Sequence, residues 1–268
     1  MSDFENASDR FGFSTGALEL GDFRSALSWM NDHDMKTVEL SALRFDELEP
    51  LVSQLGKLDL DAYQYVSFHA PSAFSPEQEG RVIELLKPVY DRQWNIVVHP
   101  DVIHTPQRWE YFGSRLLIEN MDRRKHVGRT VFELEQFFDA LPSARLCLDV
   151  AHARQIDSTL SLVTSLIRSF GDRIAELHIS ELDGRCRHVA MSSAAVEDYR
   201  QIASLIPSET HVIIESMLDS FSKSVRLEEL QLARAAMRCP PEETTSTASS
   251  SAFSAGAAVA GAGDQGMK

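Results

Sequence analysis

Six separate stretches of this chain run through aliphatic or aromatic residues and stop at an ionisable side chain. They are Phe68-His69, Val98-His99, Ile118-Glu119, Leu148-Asp149, Leu177-His178 and Ile214-Glu215, and His152 follows Asp149 by three residues. Taken singly, each has an ordinary reading. A histidine after a strand is commonly just hydrogen-bonded, and a strand-end carboxylate commonly caps the next helix. His33, His104, His126 and His211 fit that description, lying in turns, in a helix or at a strand start, and carry no assigned role. Six such ends in succession are harder to explain by packing. Buried together, they cost desolvation free energy unless paired or bound to a cation. Three carboxylates and several imidazoles at one point would repel or stay unsatisfied without a metal. Mixed nitrogen and oxygen donors point to a divalent ion, Zn, Mn, Fe or Mg.

The elements that must position these residues alternate. Strands are expected at Phe11–Thr15, Thr37–Leu40, Tyr65–His69, Asn95–His99, Arg115–Glu119, Arg145–Asp149, Ile174–Ile179 and His211–Glu215. Between them the 3.6-residue spacing predicts helices over Phe23–Asp32, Asp46–Leu55, Pro76–Tyr90, Thr130–Ala140, Ser158–Phe170, Ala195–Leu205 and Leu227–Met237, with a truncated one at Pro106–Phe112. Alternation of this kind implies parallel strands with crossover helices. Eight repeats over residues 10–238 predict an α/β fold, a (β/α)8 TIM barrel, whose C-terminal strand ends meet at one mouth. An open doubly wound sheet is the alternative. It would normally show a glycine-rich turn after the first strand, where this chain has Ser14-Thr15-Gly16-Ala17.

Composition narrows the partners. The 268 residues carry 26 Lys+Arg against 40 Asp+Glu, a formal charge of −14. That balance argues against a nucleic-acid partner, because phosphate backbones are bound by Lys and Arg. Hydrophobic residues at 43% and charged residues at 25% are ordinary for a globular chain. Three cysteines, Cys147, Cys186 and Cys239, imply no disulfide framework and suit a reducing cytoplasm. The acidic start, Met1 to Arg10, does not resemble a secretory signal, and no segment has the apolar length of a membrane span. Residues 240–268 are Ser, Thr, Ala, Gly and Glu with Phe253 as the one aromatic, which predicts a disordered low-complexity tail. The expected partner is a small-molecule substrate, and self-association is left open.

The segments Phe68-His69-Ala70-Pro71, Val98-His99-Pro100, Ile118-Glu119-Asn120, Leu148-Asp149-Val150-Ala151-His152, Leu177-His178-Ile179-Ser180 and Ile214-Glu215, in this order, resemble the xylose-isomerase-like TIM-barrel superfamily, which holds sugar isomerases and epimerases and endonuclease IV. The resemblance implies a four-ligand metal site at Glu119, Asp149, His178 and Glu215. It implies a second ion on His69 and His99 with Glu119 shared, and a third with His152 and His188. The loop Asp183-Gly184-Arg185-Cys186-Arg187-His188 departs from the family pattern, since Cys186 stands where an Asp ligand is expected. A thiolate can bind zinc, but the family pattern favours loss of the third ion.

Two chemistries suit such a mouth. In the first, one metal polarises a carbonyl and stabilises an enediolate, while Glu119 and Glu215 remove and return a proton, His152 hydrogen-bonds substrate and Arg185 or Arg187 binds a terminal hydroxyl or phosphate. In the second, two or three ions activate water against a phosphoester. A barrel that only binds metal or sugar is a third reading. The acidic surface, the short loops and the altered third site favour a metal-dependent sugar isomerase or epimerase, with an endonuclease IV-like phosphoesterase as the alternative.

Overall fold

The computed structural model describes residues 10–218 and 222–238. The expected tail over 240–268 and Cys239 lie outside them. Eight parallel strands close into a barrel: β1 (Phe11–Ser14), β2 (Thr37–Ser41), β3 (Tyr65–His69), β4 (Asn95–Val98), β5 (Leu116–Glu119), β6 (Arg145–Asp149), β7 (Ile174–Ile179) and β10 (His211–Ile214), which pairs back onto β1. A two-residue antiparallel pair, β8 (Glu181–Leu182) and β9 (His188–Val189), projects from the loop after β7. The chain is therefore a TIM barrel, as the alternation of elements implies.

The helices are α1 (Thr15–Leu18), α2 (Phe23–Asn31), α3 (Phe45–Gln54), α4 (Pro76–Tyr90), α5 (Pro106–Trp109), α6 (Val131–Ala140), α7 (Val150–Ile156), α8 (Ser161–Phe170), α9 (Ser193–Ile202) and α10 (Lys223–Ala236). Local chemistry sets their starts. Pro76 fills the first helical position of α4, and Gln78 Oε1 accepts the Ser75 N–H at 2.9 Å. Leu160 adopts φ +61 and prevents a helix from running through from Ser158, so α8 begins only at Ser161. The sequence did not announce α7, which starts on the residue after Asp149 because the Asp149 carboxylate accepts the His152 N–H at 2.7 Å.

Two apolar regions hold the barrel. The large one lies between the outer strand faces and the helices and includes Phe13, Leu40, Phe68, Ile96, Ile118 and Leu148. The other, inside the barrel, is only Val97, Leu117 and Cys147 with Ala175 against them. Much of the remaining interior is polar and buried, with Glu39, Ser67, His69, Glu119, Asp149, Glu176 and His178 among it. At Gly12 the strands come so close that a Cβ would stand 2.0 Å from the Thr37 carbonyl oxygen, so only glycine fits. Among the described residues no helix is long and apolar enough to cross a membrane.

Candidate metal centre

Period-two alternation turns every second strand residue inward. It carries His69 on β3, Glu119 on β5, Asp149 on β6 and His178 on β7 to the upper interior, all buried. His99 and Glu215 sit one residue beyond the ends of β4 and β10, and His152 rises from the first turn of α7. His188 reaches the mouth on β9. These residues form three groups whose ligand atoms lie within 4.8 Å of one another: His69, His99 and Glu119; Glu119, Asp149, His178 and Glu215; and Asp149, His152 and His188. The groups are linked, because Glu119 belongs to the first two and Asp149 to the last two.

Glu119 divides its two oxygens between them. Oε2 lies 3.2 Å from His69 Nε2 and 3.0 Å from His99 Nε2. Oε1 lies 3.4 Å from His152 Nδ1 and 3.5 Å from His178 Nδ1. Glu215 Oε2 is 3.2 Å from the same His178 nitrogen. For ions bound at about 2.0–2.1 Å, ligand atoms around a shared tetrahedral centre are about 3.3–3.4 Å apart, so the spacings among Glu119, Glu215, His69, His99 and His178 match the edges of a coordination shell.

The polarity of the contacts agrees. His69 Nδ1 donates to the Ala70 carbonyl at 2.7 Å, so the neutral ring turns a lone pair on Nε2 toward a carboxylate oxygen. Two acceptors face each other there, which only a proton or a cation between them relieves. Asp149 Oδ2 and His178 Nδ1 are buried without a hydrogen-bond partner. Donor set, spacing and orphaned atoms thus all fit a divalent ion. Zinc, manganese and iron all accept such ligands.

Without a cation the proton balance of the mouth is uneven. Burial would raise Glu119, but His99, His178 and His69 around it hold it well below the usual carboxylate range. Asp149 is pushed well above its usual range by burial, with Glu119 and Glu215 adding to the rise. His69 is raised to about 9, since its Glu119 and Glu39 neighbours outweigh the burial that opposes charge. Burial lowers His99. One carboxyl driven up and another driven down within one cluster follows from carboxylates crowded together in a buried site, where they cannot all stay ionised without further positive charge.

Asn120 orders the third group. Its side chain bonds the Asp149 backbone, and its carbonyl accepts the His152 Nδ1–H at 2.8 Å, which leaves His152 Nε2 for the cavity. Ser180 Oγ holds His188 Nδ1 at 2.8 Å. Cys186 is buried with φ +60 and belongs to none of the groups formed by the described residues.

The mouth encloses about 180 Å3. Its cations come from the loop after β5, where Arg124 and Lys125 line the cavity beside His69, His99, His152 and His188. Arg124 pairs with Asp122, and Lys125 pairs with Asp101 at 2.6 Å. Arg185 and Arg187, expected at the substrate, lie elsewhere. Asp183 accepts both of their backbone N–H groups and the Arg187 guanidinium, and neither arginine lines the cavity. His33 stacks on Trp29 and His211 on Tyr65, away from the mouth.

No family model matches the chain, and no curated protein matches it. Solved structures with some likeness include a truncated 3-deoxy-D-arabino-heptulosonate 7-phosphate synthase from Thermotoga maritima, 10% identical with a TM-score of 0.34 over 83% of each chain. A probable 2-pyrone-4,6-dicarboxylic acid hydrolase from Acinetobacter baumannii is 11% identical, with a TM-score of 0.34 over 82% of this chain and 97% of the other. A dihydropteroate synthase from Xanthomonas albilineans is 12% identical, with a TM-score of 0.30 over 86% and 93%.

Proposed function

We propose that this barrel is a divalent-metal-dependent hydrolase of small phosphoesters with at least two ions at its mouth. The observation that carries the reading is the division of Glu119: one oxygen faces His69 and His99, the other faces His178. A single-ion isomerase needs only the set Glu119, Asp149, His178 and Glu215, and leaves the two imidazoles on Oε2 without a task. Ions held by these groups supply Lewis acidity to a phosphoryl group and make bound water acidic. The chain's own residues do the rest. Arg124 and Lys125 receive the charged end of the ester, Arg124 exchanging part of its Asp122 contact for it. His152, fixed through Nδ1, presents Nε2 to substrate or ion. The narrow mouth and the net charge of −14 favour a small ester over a polynucleotide.

A sugar isomerase or epimerase is the second reading. Glu119 Oε1 and Glu215 Oε2 flank His178 Nδ1 at 3.5 and 3.2 Å, which supplies the two carboxylates that proton removal and return would use. The ion count separates the two readings. Metal analysis of purified protein is expected to give two or more ions per chain, together with Mn2+- or Zn2+-dependent hydrolysis of a chromogenic phosphate ester. One ion per chain with no hydrolysis, and aldose–ketose interconversion in its place, would establish the isomerase.

A further inference from the structure

Below the mouth the barrel holds two carboxylates that the proposed chemistry does not use. Glu39 on β2 and Glu176 on β7 are both fully buried. Glu176 lies two residues before His178 on the same inward face, and its Oε1 sits 3.1 Å from His178 Nε2. Glu39 Oε2 lies 3.3 Å from the same nitrogen. Glu39 is itself held from the side, its Oε1 accepting from Ser41 Oγ at 3.2 Å while Ser41 Oγ contacts Ser14 Oγ at 2.5 Å. Cys147 Sγ approaches Glu176 Oε1 at 4.0 Å.

A carboxylate can only accept, so the imidazole nitrogen between two of them must be the donor. We propose that Glu39 and Glu176 are positioning residues that fix His178 in its Nε2–H form and so turn the Nδ1 lone pair up toward Glu119 and Glu215. Nε2–H donates downward to Glu176 Oε1, Glu39 Oε2 stands 3.3 Å from the same nitrogen as a second negative charge, and Nδ1 is left as the ligand. The ring is held from below by residues of β2 and β7, the strands on opposite sides of β1 and β10. Outer carboxylates of this kind set the tautomer and basicity of a ligating histidine, and their loss typically costs about 10- to 100-fold in metal affinity. The inference rests on the metal-centre reading, but not on the choice between hydrolysis and isomerisation.

The test uses the full chain and Zn2+ or Co2+ in competition with a chromogenic chelator. Glu176→Ala is expected to weaken binding by about 10- to 100-fold. Glu176→Gln, which keeps an acceptor oxygen, is expected to recover most of that loss. Co2+ absorption bands should shift in Glu176→Ala and return toward the wild-type position in Glu176→Gln. Should the variants not fold, 15N-histidine NMR of the Zn2+-loaded wild type still decides, since a protected proton on His178 Nε2 is required. A proton on Nδ1, or Glu176→Ala and Glu39→Gln variants that bind metal as wild type does, would overturn the proposal. A wild-type chain that binds neither ion would instead overturn the metal centre itself.

Discussion

Asn120 and Asp149 hold each other through two hydrogen bonds of 2.8 Å, the Asn120 amide donating to the Asp149 carbonyl and accepting from the Asp149 N–H. This pair locks the end of β5 to the end of β6, the strands that deliver the two shared carboxylates. Asn120→Ala leaves a buried N–H and a buried carbonyl without partners, at about 1–3 kcal/mol each. Urea unfolding should show a loss of about 2–6 kcal/mol for the two groups together. Metal content should fall in the same variant, because the lost side-chain bonds fix the Asp149 backbone, while His152 keeps its bond to the Asn120 main-chain carbonyl.

Glu119→Gln is expected to reduce bound metal by at least one ion per chain and to abolish turnover, since one neutral amide replaces the anion that both groups share. Metal analysis beside an activity assay checks it. If the variant kept its full metal content and its turnover, the central assignment would fail.

Removing metal should lower Tm. An ion at about 100 times its Kd stabilises the folded chain by about 2.7 kcal/mol, or roughly 5–10 °C for a domain of this size. Calorimetry with and without a chelator measures the shift, and re-addition of Zn2+ or Mn2+ should restore it.

Glu79 gives a pH-dependent stability remote from the mouth. Burial would raise its carboxyl, but hydrogen bonds from the Trp109 indole and the Thr105 and His104 N–H groups, at 2.7–3.0 Å, bring it below the usual value of 4.5. A depressed folded value means that the stabilisation is complete above the unfolded value and is lost as pH falls through the folded one. Glu79→Gln should therefore cost stability at pH 7, on the order of 1–3 kcal/mol. The gap from wild type should narrow in unfolding curves as pH falls below the usual carboxylate value and close once it passes the lowered folded one.

Arg124→Ala should raise KM for a phosphoester at least several-fold with little change in kcat, while Arg185→Ala leaves both unchanged. The contrast follows from Arg124 lining the cavity while Arg185 does not. Cys186→Ser should leave metal stoichiometry as it is, because Cys186 joins none of the ligand groups.

Much of the barrel was legible because most of its strands are short apolar runs that end where the polarity changes. Tyr65–His69, Arg145–Asp149 and Ile174–Ile179 have the bounds that pattern predicts. Residues 150–156 were harder to read: α7 is only two turns long and depends on one cap, Asp149, which also serves the metal groups. Arg124 and Lys125 left no readable trace, since a loop has no period and closeness to a cavity arises only in three dimensions. Glu39 did leave one. A carboxylate inside Thr37-Val38-Glu39-Leu40-Ser41, in the middle of an otherwise buried strand, is costly enough to demand a partner. The identity of that partner, His178, depends on barrel closure.

The small apolar cluster inside the barrel has an evolutionary consequence. Adhesion between strands and helices is concentrated in the outer layer, around residues such as Phe68, Ile118 and Leu148. The inner lining contributes little of it, with Val97, Leu117 and Cys147 as its apolar cluster. Foldedness and chemistry therefore occupy different faces of the same strands. Drift at one inward position can change which ion or ester is preferred while the residue on either side keeps the scaffold intact, so a lineage built on this barrel can explore new reactions without first becoming more stable.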